Sequence, residues 1–272
     1  DGYAILNADD DRVYSMKNNV QSKVAFFSME ESNPRIKRHA ANGGVSAIYE
    51  NGYVTIYRGE WKMRVSKAVN VPLTKGGKAS FMIQNVLAAV LATYLQGFSI
   101  EDIKVAIESF IPSPSQTPGR LNMFNFDKFD VLLDYAHNPA GLRALHQYVK
   151  KLDGKPKVGI VAGIGDRRTE DNFELGQIAA EMFDEIIIRQ DRNLRGKDEE
   201  TLIKEIHDGI LDVDPKKPVK IITLESEAIK YAVEHAKEGS LIVVSSDVVP
   251  AALNLVMQLK EKEAKKLYPH SK

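Results

Sequence analysis

The runs FDVLLDYAHNP at residues 129–139 and PKVGIVAGI at 156–164 order the rest of this chain. Each is a continuous apolar stretch of strand length that ends in polar residues. Asp134, His137 and Asn138 precede Pro139 in the first, and Gly163 and Gly165 lead into Asp166, Arg167 and Arg168 in the second. Continuous rather than alternating apolar strands belong to sheets covered on both faces. EIIIR (185–189), VKIIT (219–223) and SLIVVSS (240–246) repeat the pattern. Helical segments at about 139–151, 173–183, 199–210, 226–236 and 248–266 separate them. Alternation of this kind predicts βα units in a doubly wound, Rossmann-like and mostly parallel α/β sheet.

Upstream the rhythm differs. YAILN and Lys23–Phe27 read as strands with a helical turn between them. Residues 45–66 hold three short β-rich runs broken at Asn51-Gly52 and Gly59-Glu60, which predicts a small antiparallel meander. Ala79–Gln96 reads as a helix stopped by Gly97, and Ser99 caps a second helix to Phe110. The proline-rich IPSPSQTPGR then breaks the chain. The expected organisation is a first domain at 1–114 and a second at 115–272.

Composition limits the function. The 272 residues are 43% hydrophobic and 27% charged, as in a globular protein. Lys plus Arg and Asp plus Glu are 37 each. A net charge of zero argues against nucleic-acid or anionic-membrane partners. No cysteine is present, which excludes disulfides, thiolate metal sites and thiol nucleophiles. No apolar run approaches the ~18 residues of a membrane span, and the N-terminus has no signal-peptide pattern. A cytoplasmic location is expected. Of the six histidines (39, 137, 146, 207, 235, 270), only His137 sits in a suggestive place, and the others are expected at the surface.

Ligands of doubly wound sheets bind at the carboxyl ends of the strands. Asp134-Tyr135-Ala136-His137-Asn138 there reads either as a capped turn or as a nucleotide-contacting one. Gly163-Ile164-Gly165-Asp166-Arg167-Arg168 allows close backbone approach and carries two guanidiniums suited to carboxylate or phosphate, or is a solvated loop with an internal ion pair. It is not a dinucleotide fingerprint, because Arg168 stands where a third glycine belongs. Arg189-Gln190-Asp191-Arg192-Asn193-Leu194-Arg195-Gly196 is either a solvated charge run or an anion or amino-acid pocket. Ser245-Ser246-Asp247 can be read as a cap for the last helix. Together these loops predict a site for an anionic ligand. There is no GxxxxGK[ST], HExxH, CxxC or GxSxG.

DYAHNP, GIGDRR and the upstream Pro118-Gly119-Arg120 resemble motifs of the Mur-ligase superfamily of ATP-dependent amide ligases. Asn7-Ala8-Asp9-Asp10 and Gln84-Asn85-Val86-Leu87-Ala88-Ala89 resemble two further elements, and all five stand in family order along the chain. Within the superfamily, GDRR followed by Glu170-Asp171, and Arg189-Gln190-Asp191 leading to Leu194-Arg195-Gly196, are most similar to the Mur-ligase-like region of the cyanophycin synthetase branch.

The resemblance implies an ATP-dependent ligase that adds L-arginine to the β-carboxylate of poly-aspartate through an acyl phosphate. Muramyl-peptide or folylpolyglutamate-type ligation, or non-catalytic binding, are the alternatives. It implies nucleotide contacts from Asn85, Arg120, Asp134 and Asn138. His137, Asp166 and Arg167 would lie near the reacting groups, and Asp191, Arg192 and Arg195 in an amino-acid pocket. ATP and magnesium are the implied cofactors. No metal ligand is assigned in this chain, because the family's P-loop and most magnesium ligands lie upstream of these residues. The first domain would then be the end of the central ATP-binding domain. The chain is expected to be a fragment, inactive alone, working with upstream P-loop and ATP-grasp domains in a homo-oligomer.

Overall fold

The computed structural model describes residues 2–152, 155–190, 194 and 196–267, and the chain divides into units at 1–112 and 113–272. The first unit runs β1 (Tyr3–Asn7), α1 (Asp11–Ser15), β2 (Lys23–Ser28), α2 (Pro34–Ala41), β3 (Val45–Glu50), β4 (Tyr53–Arg58), β5 (Trp61–Lys67), α3 (Ser80–Leu95) and α4 (Ile100–Ser109). Its strands form one sheet in the order β1-β2-β3-β4-β5. β1, β2 and β3 are parallel, and β4 and β5 return antiparallel. The expected meander is therefore not a separate sheet, since β3 pairs on one side with β2 and on the other with β4. Asn51 (φ +51°) and Gly52 (φ +80°) make the β3–β4 turn, as Asn-Gly does in tight hairpins. Helix α3 packs Ile83, Val86, Leu87, Val90 and Leu91 against the sheet. It stops at Gly97 (φ +92°), and the Ser99 side chain accepts from Asp102 N to start α4. Helix α2 was not expected, although Asn33 caps it through Arg35 N at 2.9 Å and Pro34 opens it.

The second unit runs β6 (Asn122–Asn125), β7 (Asp130–Asp134), α5 (Pro139–Val149), β8 (Lys157–Ala162), α6 (Thr169–Met182), β9 (Glu185–Arg189), α7 (Glu199–Val213), β10 (Val219–Ile221), α8 (Glu225–Glu234), β11 (Leu241–Ser245) and α9 (Val249–Leu267). The six strands lie in the order β10-β9-β8-β11-β7-β6. All neighbours are parallel except β6, which hairpins back on β7 as an edge strand. Alternate residues of the buried strands, Val131, Leu133, Ile160, Ile187, Ile242 and Val244, form a core with α8 and α9, and α5, α6 and α7 pack in a row. This is the mixed α/β class with a doubly wound parallel sheet.

Two glycines set the α6–α7 spacing. A Cβ on Gly176 would stand 2.2 Å from Ile206 O, and one on Gly209 would stand 2.0 Å from Phe173 O. The helix expected from 173 starts at Thr169, where Glu170 and Asp171 favour a helix N-terminus. His146 is buried on α5 rather than exposed, and burial lowers its pKa. Among the described residues, no helix is long and apolar enough to cross a membrane.

The parallel order places β11 between β7 and β8. The chain moves outward from β8 through β9 to β10 and comes back for β11. The carboxyl ends of β7, β11, β8 and β9 thus share one edge, at the point where the winding reverses.

Candidate functional site

The first strand end is fastened to the turn before it. Asp134 is 4% exposed. Its Oδ2 accepts from Leu121 N and its Oδ1 from Ala136 N, both at 2.9 Å. Burial pushes its carboxyl above the usual range, against the pull of these N–H groups and of the Arg120 guanidinium. Asn122 braces the same turn. It accepts from Gly119 N at 2.7 Å and donates to Thr117 O at 3.0 Å. Gly119 has φ +69°, and a Cβ there would stand 2.6 Å from Val249 Cγ2, so only glycine fits. Arg120 is exposed and lies 5.2 Å from the Tyr135 ring centroid. Asn138 is the α5 cap, accepting from Gly141 N at 2.7 Å. His137 stacks at a tilt on Tyr135, and its Nδ1 is 3.0 Å from Tyr135 O. A carbonyl oxygen only accepts, so Nδ1 is the donor in this contact, and Nε2 is left for other partners.

The second strand end is held by a buried polar knot that the sequence reading missed. Asn172 is fully buried. It accepts from Ile164 N and donates to Ile164 O and to Glu205 Oε2. Glu205 also accepts from Thr169 Oγ1 at 2.6 Å and from Lys197 Nζ at 2.8 Å. Burial pushes Glu205 up, but Lys197, Thr169 and Asn172 together hold it below the ordinary carboxylate range. Past this knot the loop is exposed. Arg168 pairs with Asp171 through two nitrogens. The Arg167 Nε stands 4.0 Å from Asp166 Oδ1, a loose pair.

The third strand end supplies a second missed group. Arg189 is 4% exposed. Its Nη2 donates to Asp247 Oδ1 at 2.8 Å and to Ser245 O at 2.9 Å. Its Nε lies 3.1 Å from Glu225 Oε2. One guanidinium thereby ties the ends of β9 and β11 to the first residue of α8. Asp247 is a partner of Arg189. Only the proximity of three arginines to one acid hinted at this in the sequence.

These ends enclose a narrow cleft whose walls include His137, Gly163, Ile164, Arg189, Ser246 and Asp247. Of the three residues expected near the reacting groups, His137 lines this cleft. Asp166 and Arg167 project from the adjoining loop and are not among its walls. Asn85 lies on the exposed side of α3 in the first unit, 3.7 Å from Met82 Sδ. Asp191, Arg192 and Arg195 fall outside the described residues. Among the described residues, no three His, Asp or Glu side chains group as metal ligands.

Residues 119–248 match the family described as Mur ligase, glutamate ligase domain. The chain is 45% identical over 94% of its length to a cyanophycin synthetase of Crocosphaera subtropica, and spans 29% of that protein. In fold it is similar to MurF from Acinetobacter baumannii, with a TM-score of 0.63 at 19% identity, covering 96% of this chain and 52% of that one. It is also similar to a folylpolyglutamate synthase of Mycobacterium tuberculosis solved with ADP, with a TM-score of 0.62 at 17% identity, covering 90% of this chain and 51% of the other.

Proposed function

We propose that this chain, whose residues 119–248 match the family described as Mur ligase, glutamate ligase domain, serves an ATP-dependent ligase of the cyanophycin synthetase type. The reaction joins L-arginine to the β-carboxylate of a poly-aspartate chain. The identity of 45% over 94% of the chain carries this reading. The ADP in the folylpolyglutamate synthase structure supports ATP as the phosphoryl source. The enzyme would work in the cytoplasm.

In this reading the γ-phosphoryl group passes to a carboxylate oxygen and ADP departs. The arginine α-amine attacks the carbonyl carbon, the bond to the phosphate oxygen breaks, and the amine gives up its proton. Each step needs something that the strand edge offers. Arg167, loosely paired on an exposed loop, can meet phosphoryl charge as it develops. The His137 Nε2 can take the amine proton, because Nδ1 is held at Tyr135 O. Arg120, beside the ring of Tyr135, can contact nucleotide phosphate or ribose. The Asp134 oxygens each hold one backbone N–H, so Asp134 shapes the turn while keeping lone pairs for a ribose hydroxyl. Asn138 acts on a nucleotide through the turn it caps. In this reading the main magnesium ligands lie in the upstream part of the enzyme, and no step here is assigned to the ion.

In this reading Asp191 is the acid that receives the substrate guanidinium, and Arg192 and Arg195 suit a carboxylate. Calorimetry of the chain with L-arginine tests this reading. Binding that falls at least tenfold in Asp191→Ala is expected. Unchanged affinity in the variant, or no heat with the parent chain, would overturn the assignment.

A further inference from the structure

Helix α2 reads PRIKRHAA and carries Arg35, Lys37, Arg38 and His39 with no acid among its eight residues. Lys17 lies in the single helical turn Met16–Asn19 that follows α1. Between these two elements, over Val24 and Phe26 of β2, is a cavity of about 290 Å³. Lys17, Arg35 and Arg38 line it together with the Tyr14 ring, and no carboxylate stands in its wall among the described residues.

Positive charge is gathered here rather than spread. Lys17 Nζ lies 3.9 Å and Arg35 Cζ 4.3 Å from the Tyr14 ring centroid, so one ring draws two cations together. Arg38 stands three residues after Arg35, on the same side of the helix. It is exposed and has no partner among the described residues. The countercharge in direct contact is Asp11, which accepts from Arg35 Nη2. Its side chain is 87% exposed, and so open an ion pair is weak. Arg35 Nη1 donates to Ala8 O at 2.8 Å, which fixes the plane of the guanidinium. Lys17 Nζ donates to Tyr14 Oη at 2.6 Å and keeps two protons for other acceptors. His39 is also in the wall. Burial lowers its pKa and the charge of Lys17 lowers it further, so it adds no charge at neutral pH.

The balance narrows the ligand class. Three cations stand against one carboxylate, which leaves a positive excess of two. A carboxylate ligand supplies one negative charge, whereas a phosphate group carries roughly 1.5–2 at pH 7. Guanidinium forks match phosphate oxygens in pairs, and an ammonium adds a point charge. The cavity is at the small end of ligand pockets, which suits a phosphate group with a short body.

We propose that this cavity binds a phosphate dianion, free or as the monoester of a small molecule, held by Arg38, Arg35 and Lys17. The site belongs to the first unit and shares no residue with the cleft assigned to the ligase chemistry. It stands whether or not that chemistry is correct.

Two probes carry the shared chemistry from different sources. Orthophosphate is the free ion, and glycerol 3-phosphate is a small monoester. Acetate is the single-charge control, and tri-aspartate represents a carboxylate-rich peptide. Binding to the 272-residue chain is read by phosphorus NMR and calorimetry at constant ionic strength, because exposed charges are screened by salt. At least one phosphate probe should bind tenfold or more tightly than acetate. Binding of the ester alone identifies a phosphorylated small molecule, and equal binding of both identifies the free ion. Arg38→Gln and Lys17→Gln should each weaken the probe at least fivefold, with the far-UV signal unchanged. Arg38→Lys keeps the charge and should restore most of the affinity. Lys262→Gln removes the same charge from exposed α9 and should leave affinity as it was. Unchanged affinity in Arg38→Gln overturns the proposal and would place any bound phosphate elsewhere, as at Arg167. An equal loss in Lys262→Gln overturns it too, since net charge alone would then decide binding. So does tri-aspartate binding more tightly than both phosphate probes. Calorimetry with L-arginine reads a different loop, so the two proposals fail separately.

Discussion

Arg189 shows how much one side chain holds at the strand edge. Its guanidinium lies between Asp247 and Glu225, with all three side chains no more than 15% exposed. Breaking a buried ion pair from one side leaves charge behind it and costs about 3–5 kcal/mol. Arg189→Met should lower stability by up to that order in urea titration. An unchanged midpoint would mean that the arginine does not hold the ends of β9 and β11 together. Gly119 is the second residue whose identity is dictated locally. Gly119→Ala places a Cβ 2.6 Å from Val249 at φ +69°, and should cost at least ~1–2 kcal/mol from the left-handed backbone alone. The sequence drew attention to the loop after 189 and to the Pro118-Gly119-Arg120 turn. It could not show that Arg189 is buried while Arg167 and Arg168 are not, because its partners stand 36 and 58 positions along the chain.

At the scale of elements, α6 and α7 work as one piece with the loop after β8. Asn172 and Glu205 join that loop to both helices. The sign of the pH effect follows from Glu205. Its carboxyl is held below the model-peptide value of 4.5. Its contribution is therefore complete above that value and is lost as the pH falls through the lower folded value. Chemical denaturation between pH 7 and pH 3 should show this loss, and Glu205→Gln should flatten the curve over the same interval. Asn172→Ala should cost roughly 1–3 kcal/mol by leaving Glu205 and the Ile164 backbone short of partners. Amide exchange near Ile164 should quicken in that variant. If exchange there stays at the parent rate, the knot does not hold the loop. The elements themselves were mostly legible, because apolar runs, Asn51-Gly52, Ser99 and Gly97 act within a few residues. Helix α2 escaped notice because its polar face outweighs one buried position, Ile36. Strand β6 escaped because four residues are too few for a pattern, and it exists only as a partner of β7.

For the molecule as a whole, the second unit has a sheet with helices on both faces and its own core. Residues 113–272 expressed alone should therefore give one cooperative thermal transition with unchanged far-UV signal per residue for its helices. A broad, non-cooperative transition would show that this core needs residues 1–112.

The primary structure was enough to establish an α/β chain with a doubly wound second half, and to mark which loops follow the buried strands. Periodicity, capping and turn chemistry act over three to ten residues, and a linear reading sees that range. Strand order, the continuity of β3 with β2, the shared edge of β7, β8, β9 and β11, the burial of Arg189 and the meeting of Lys17 and Arg35 on the ring of Tyr14 needed the folded chain. Each depends on which distant segments meet. Pairing between strands and the desolvation of a charge are set by neighbours in space, and no spacing along the chain encodes them.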